Sequence, residues 1–171
     1  MVNWKIDQIR REIIKHEASR KVLVAGRRFG KSHLSLIWLL SRKIEEGERR
    51  WIITPTYRQG KSTTWKLMRQ VFRDYKCQIN ESELAVKLPN DAEVAIKGAE
   101  QENNLRGAGL DMVVMEEYSY IKPHVWDEII YPMLTTTNGD AFFIGTPNGY
   151  DHLYDAYLRG QSNDPDWKSW Q

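Results

Sequence analysis

Cysteine is nearly absent from this 171-residue chain, with Cys77 standing alone. A lone thiol excludes an internal disulfide and fits a reducing compartment. Long hydrophobic runs are missing too. The longest, "LSLIWLL" at 34–40, is far too short to span a bilayer, so no membrane partner is expected. The first twenty residues, "MVNWKIDQIRREIIKHEASR", are charged throughout and have no apolar stretch of the kind a signal peptide carries, so a cytosolic setting is expected. An excess of one charge is lacking as well. Lys and Arg number 25 against 23 Asp and Glu, a formal net charge of +2. Bulk electrostatics therefore do not announce nucleic acid, and only local clusters could engage it. No internal repeat or low-complexity segment is present.

What is present is a globular composition, 41% apolar and 28% charged, long enough for one domain with a core or for a piece of a larger protein. Residues 5–17 predict a helix with Ile6, Ile9 and Ile13 on one face. "KVLVA" (21–25) is a buried-type strand, and 31–46 predict a helix stopping near Gly47. "RWIITPT" (50–56) is a second strand, and 61–76 a strongly periodic helix. Leu84, Val86 and Leu88 alternate against Val94 and Ile96 around a Pro-Asn-Asp turn, the pattern of a β-hairpin. "MVVM" (112–115) and "AFFIG" (141–145) are continuous apolar strands flanking a helical stretch over 123–134. Strands alternating with helices imply an α/β fold with a mostly parallel sheet covered on both faces. The last residues, "GQSNDPDWKSWQ", read as a turn entering a new strand, and the chain is expected to be the front of a longer polypeptide.

Three motifs carry chemistry. "AGRRFGKSHLSLIWLL", from Ala25, joins a strand to a helix through a glycine turn. Such a junction aims backbone N–H groups and the positive end of a helix dipole at an anion. Gly26 and Gly30 permit close backbone approach, Lys31 would reach phosphates, and Ser32 would hold Mg²⁺. The usual phosphate-loop pattern has glycine where this chain has Ala25, and a basic turn with a chance Gly-Lys-Ser is the plain alternative. Arg27 and Arg28 add cations that an ordinary turn does not need. Next, "GLDMVVMEEYSYI" places Glu116 and Glu117 at the exit of a buried strand, where open parallel sheets bind ligands; Asp111 lies at its opposite end. An acidic strand end is common by itself, and the upstream loop gives this one its meaning. Finally, "AFFIGTPNGY" delivers Thr146 and Asn148 to the same edge, although Pro, Asn and Gly are also ordinary turn residues.

Taken in order, "GRRFGKS", "WIITPTYRQGK", "NLRGAGLDMVVMEEYSYI" and "FFIGTPNGYDHLYDAY" resemble the ATPase domain of phage terminase large subunits, over roughly Gln8 to Tyr157. In that family an arginine-bearing, off-pattern phosphate loop is normal. The resemblance implies an additional-strand P-loop ATPase core, in which an extra strand separates the phosphate-loop strand from the carboxylate strand. It implies ATP and Mg²⁺ as cofactors, with Lys31 and Ser32 on phosphate and metal, and Glu116 on the metal. Arg27, Arg28 or both would contact the γ-phosphate. Glu117 would orient and activate water, Thr146 would sense the γ-phosphate, and Gln8 would read adenine. Arg106 falls where some members place an arginine finger; a loop salt bridge is the equal alternative. The implied partners are double-stranded DNA, a homo-oligomeric ring on a portal protein, and a small terminase subunit, in the host cytoplasm. Residues 1–171 would be the N-terminal ATPase domain, without the lid and the nuclease domain that normally follow. One departure stands out. The family usually has aspartate where this chain has Glu116, and the extra methylene pushes the carboxylate about 1.5 Å outward. Either the site tolerates glutamate or turnover is impaired.

Lys66, Arg69, Arg73 and Lys76 form one stripe of the 61–76 helix, beside apolar Trp65, Met68, Phe72 and Tyr75. A basic stripe can track a phosphate backbone, but the solvated face of an amphipathic helix is the simpler expectation. Trp4, Trp38, Trp51 and Trp126 are expected in core or interface, and His33 and His124 lack metal-site spacing. Two other functions remain open: a half of a two-domain helicase, and a nucleotide-binding module without turnover.

Overall fold

The computed structural model describes residues 6–107 and 109–171, so Trp4 and Lys5 lie outside it. One eight-stranded sheet organises the chain. Its strands are β1 (Arg20–Val24), β2 (Arg49–Thr54), β3 (Gln78–Asn80), β4 (Ala85–Lys87), β5 (Glu93–Gly98), β6 (Met112–Glu116), β7 (Asp140–Gly145) and β8 (Trp167–Trp170). The spatial order is β3-β4-β5-β2-β6-β7-β1-β8. The β4–β5 hairpin and β3 pair antiparallel at one edge, and every other pairing is parallel. The hairpin's second strand continues the sheet by pairing with β2. β7 lies between β1 and β6, bonded to both. This is the additional strand.

Helices cover both faces, which is why the central strands are apolar runs and not alternations. α1 (Gln8–Lys15), α2 (Lys31–Leu39) and α4 (Thr64–Phe72) pack on the face bearing Leu23, Ile52, Val114 and Phe142. The opposite face, with Val22, Ile53, Val113 and Phe143, is covered by α5 (Glu102–Leu105), a wide π-type turn over Val125–Ile130, α6 (Tyr131–Thr135) and α7 (His152–Gln161). Trp38, Trp51 and Trp126 are all core residues.

Several helices are shorter than their periodicity suggests. α1 starts at Gln8 because the Asp7 carboxylate caps it by accepting from the Arg10 N–H; Ile13 is buried, while Ile9 is 56% exposed. α2 stops at Leu39, well before Gly47, for a reason that lies in β2. The fully buried Arg50 guanidinium donates to the carbonyls of Leu39 (2.7 Å), Arg42 (3.0 Å) and Lys43 (2.6 Å) and pairs with Glu48. The expected 61–76 helix is instead α3 (Tyr57–Ser62) and α4, broken at Thr63 with φ −110° and ψ −83°. Trp65, Met68 and Phe72 are buried as expected, but Tyr75 falls beyond the helix and is exposed.

Candidate functional site

The parallel strands all end on one edge of the sheet, and the motifs meet there. β1 gives way to a loop at Ala25, whose N–H donates to the Gly145 carbonyl (3.0 Å). Two left-handed residues, Arg28 (φ 68°) and Gly30 (φ 88°), turn the chain into α2. Gly30 is the N-cap and supplies no side chain to the first helical N–H groups, which leaves them for an anion. Arg10 braces the loop from α1. Its guanidinium donates to the Phe29 carbonyl, lies 4.7 Å over the Phe29 ring and pairs with Asp7 at 2.6 Å.

Lys31 is only 9% exposed. Its ammonium donates to Ala25 O (3.1 Å), Gly26 O (3.3 Å) and Thr146 Oγ1 (2.8 Å) and stands 3.5 Å from Glu117 Oε1. Thr146 in turn donates to Glu117 Oε2 at 3.4 Å. The loops after β1, β7 and β6 therefore converge on one lysine–threonine–glutamate chain. Glu117 sits in the left-handed region (φ 53°, ψ 49°), an uncommon conformation for a residue with a Cβ. It turns the chain sharply at the end of β6.

Glu116 occupies a different environment. Alternation along β6 puts it on the face of Val114, the face that α2 and α4 cover. It is 4% exposed. Burial raises its pKa, opposed by the nearby Ser32 and Thr64 hydroxyls; Glu117 pushes the same way as burial and Lys31 against it. Thr64 donates to Oε2 at 2.7 Å, whereas the buried Oε1 has no hydrogen-bond partner among the described residues. An unpartnered buried carboxylate oxygen beside the Ser32 hydroxyl is a fitting donor pair for a hard divalent cation that keeps several waters. Among the described residues no group of three His, Cys, Asp or Glu could hold a metal, so water and phosphate oxygens would complete its shell.

A cavity of about 410 Å³ opens here, and Arg27, Arg28, Lys31, Ser32, Thr63 and Glu117 are among its walls. Gly26 is exposed in the loop. Of the anticipated residues, Gly26, Glu116, Thr146, Gln8 and Arg106 are not among its walls, although Thr146 is bonded to Lys31 and Glu117. Gln8 is exposed at the start of α1, and Arg106 is exposed just past α5. Asp111 lies at the far end of β6, accepting from the Arg49 N–H (2.8 Å). His124 pairs with Glu102 at 3.0 Å. In the basic stripe, Lys66 is exposed and Arg69 pairs with Glu81 at 3.1 Å, as a solvated face would.

Sequence reading missed three contributors: Arg10, Thr63 and Thr64. The signal for the threonines was the Thr-Thr pair itself, since adjacent β-branched residues weaken a helix. Arg10 carried none beyond its spacing from Asp7.

Comparison with known proteins adds to this geometry. A family model described as "Terminase large subunit, T4likevirus-type, N-terminal" matches residues 22–168. The terminase large subunits of Thermus phage G20c and Thermus virus P23-45 are each 29% identical to this chain, over 94% of it and 37% of their own length. The chain thus spans little more than a third of those relatives. The large terminase ATPase domain of Thermus phage P74-26 superposes with a TM-score of 0.78 at 28% identity, covering 98% of this chain and 80% of that one. The large terminase of another thermophilic bacteriophage, solved in complex with ADP, shares the fold at 8% identity, with a TM-score of 0.71 over 95% of this chain and 44% of that one.

Proposed function

Because this chain belongs to the terminase large subunit family, we propose that it is the ATP-hydrolysing domain of a motor that moves double-stranded DNA into a viral procapsid. The observation that carries the reading is the convergence of Lys31, Thr146 and Glu117 at the edge where β1, β7 and β6 end. The ADP complex of the thermophilic phage's large terminase is in keeping with a nucleotide in this cavity.

In this reading the N–H groups of the loop from Gly26 to Ser32 cradle the phosphates, and Lys31 exchanges its protein acceptors for phosphate oxygens. Arg27 and Arg28, exposed on the cavity wall, meet the outermost phosphate. Ser32 and Glu116 hold Mg²⁺. The metal supplies charge neutralisation on the phosphate oxygens. Glu117 holds the attacking water in line and takes up its proton. Thr146, bonded to both Lys31 and Glu117, registers whether a γ-phosphate is present. Gln8 contacts adenine, and Arg106, lying outside the cavity, acts on the nucleotide of an adjoining copy in a ring. A portal protein, a small terminase subunit and the host cytoplasm complete the setting, with the lid and nuclease domain supplied by chain beyond this one.

The test is phosphate release from Mg-ATP by wild type and Glu117→Gln, alongside nucleotide affinity. Glu117→Gln is expected to lower the rate about 10²–10⁴-fold, the usual worth of a positioned base, while still binding nucleotide. A wild type that binds ATP and never releases phosphate would make the domain a nucleotide-binding module instead.

A further inference from the structure

The break between α3 and α4 brings an unassigned side chain to the metal carboxylate. Thr63 departs from helical geometry (φ −110°, ψ −83°), and its hydroxyl donates back to Gln59 O at 2.7 Å. An unbroken helix is what the periodicity of 61–76 would favour; the break starts α4 at Thr64. Thr64 is fully buried, and its hydroxyl donates to Glu116 Oε2 at 2.7 Å. The two carboxylate oxygens of Glu116 thereby become unequal: Oε2 is tied to α4, and Oε1 is buried without a hydrogen-bond partner among the described residues. Ser32 acts on the same carboxylate from the phosphate loop.

We propose that Thr64 is a positioning residue for Glu116, fixing one carboxylate oxygen so that the other is presented to the divalent cation beside Ser32. The proposal rests on the nucleotide-hydrolase reading above. It also explains how glutamate serves at this strand exit. A glutamate side chain has one more rotatable bond than aspartate, and an untethered carboxylate would sample orientations unsuited to a cation that demands near-octahedral geometry. The threonine hydroxyl removes that freedom. Hydrogen bonds from outer residues onto metal ligands commonly govern metal affinity in this way, and losing one costs about 10–100-fold.

The experiment measures ADP affinity by calorimetry twice, in EDTA and in excess Mg²⁺, and takes the ratio as the contribution of the metal. Thr64→Val keeps the side chain's shape and removes the donor; Thr64→Ser keeps the donor. Thr64→Val is expected to reduce the ratio about tenfold or more while leaving the EDTA affinity within about twofold. Thr64→Ser is expected to restore most of the ratio, and Glu116→Gln to reduce it at least as far as Thr64→Val. An unchanged ratio in Thr64→Val would overturn the proposal, as would an equal loss in both conditions, which marks a packing role. A Thr64→Ser variant as impaired as Thr64→Val would do the same. An undiminished ratio in Glu116→Gln would overturn it while leaving nucleotide binding intact. Failure of the wild type to bind ADP in either condition would instead defeat the functional reading on which the proposal stands.

Discussion

At the scale of single residues, two buried lysines, one on β1 and one opening α2, show how context decides the fate of a charge. Lys31 has four oxygen acceptors around its ammonium, so its charge is compensated in a confined place. Lys21, at the other end of β1, has far less. Among the described residues its ammonium donates to Ile14 O, at 3.4 Å, and stands 5.7 Å over the Trp38 ring. Burial pushes its pKa down from 10.5 to about 8, with Asp140 opposing and Arg42 assisting. The sign follows from proton counting. Between about pH 8 and 10.5 the unfolded chain holds the Lys21 proton and the folded chain does not, so this group makes stability rise with pH across that window. Below about pH 8 the full penalty of a buried charge is present. Lys21→Met is therefore expected to melt at a higher temperature than wild type at about pH 7, by a margin that shrinks as the pH is raised through the window. A margin independent of pH would show that packing, not charge, sets the difference.

At the scale of elements, α2 is ended by a side chain from another strand. Arg50 gathers three carbonyls that a longer helix would have used internally, and Glu48 balances its charge. Arg50→Met removes all four partnerships, leaving the Leu39 carbonyl buried and the other acceptors half-buried without their donor. The expected cost is roughly 3–5 kcal/mol, the range for breaking one side of a buried ion pair, read as a shift of the urea midpoint. A loss under about 1 kcal/mol would mean that water replaces the guanidinium. The same element shows what sequence can and cannot reveal. Hydrophobic periodicity located β1, β2, β6 and β7, because a strand buried on both faces must be a short apolar run bounded by turns. Local spacing placed the glycine turn between β1 and α2 and the two glutamates at the end of β6. Neither revealed where α2 stops, or that Thr63 divides a helix. Those outcomes involve tertiary partners that helical periodicity does not register: Arg50 in the next strand, and Glu116, 52 residues beyond Thr64. β3 escaped too, being three exposed residues with no face to bury.

At the scale of the whole molecule, Lys31, Glu117 and Thr146 share one edge, whereas Arg106 stands exposed outside the cavity. If another copy supplies it, the rate of phosphate release per chain rises with chain concentration, and Arg106→Ala removes about 10³–10⁵ of the assembled rate. A flat rate per chain, or a loss under tenfold, would assign Arg106 to a surface ion pair.

The position of β7 sets a distance as well as an order. Neighbouring strands lie about 4.8 Å apart. One intervening strand therefore holds the ends of β1 and β6 at roughly twice that separation, with the residue after β7 standing midway. Lys31 and Glu117 start from strand ends two spacings apart and approach through their side chains, to 3.5 Å, with the Thr146 hydroxyl bonded to both. The sheet acts as a ruler whose single graduation is a strand, and Thr146 is its middle mark.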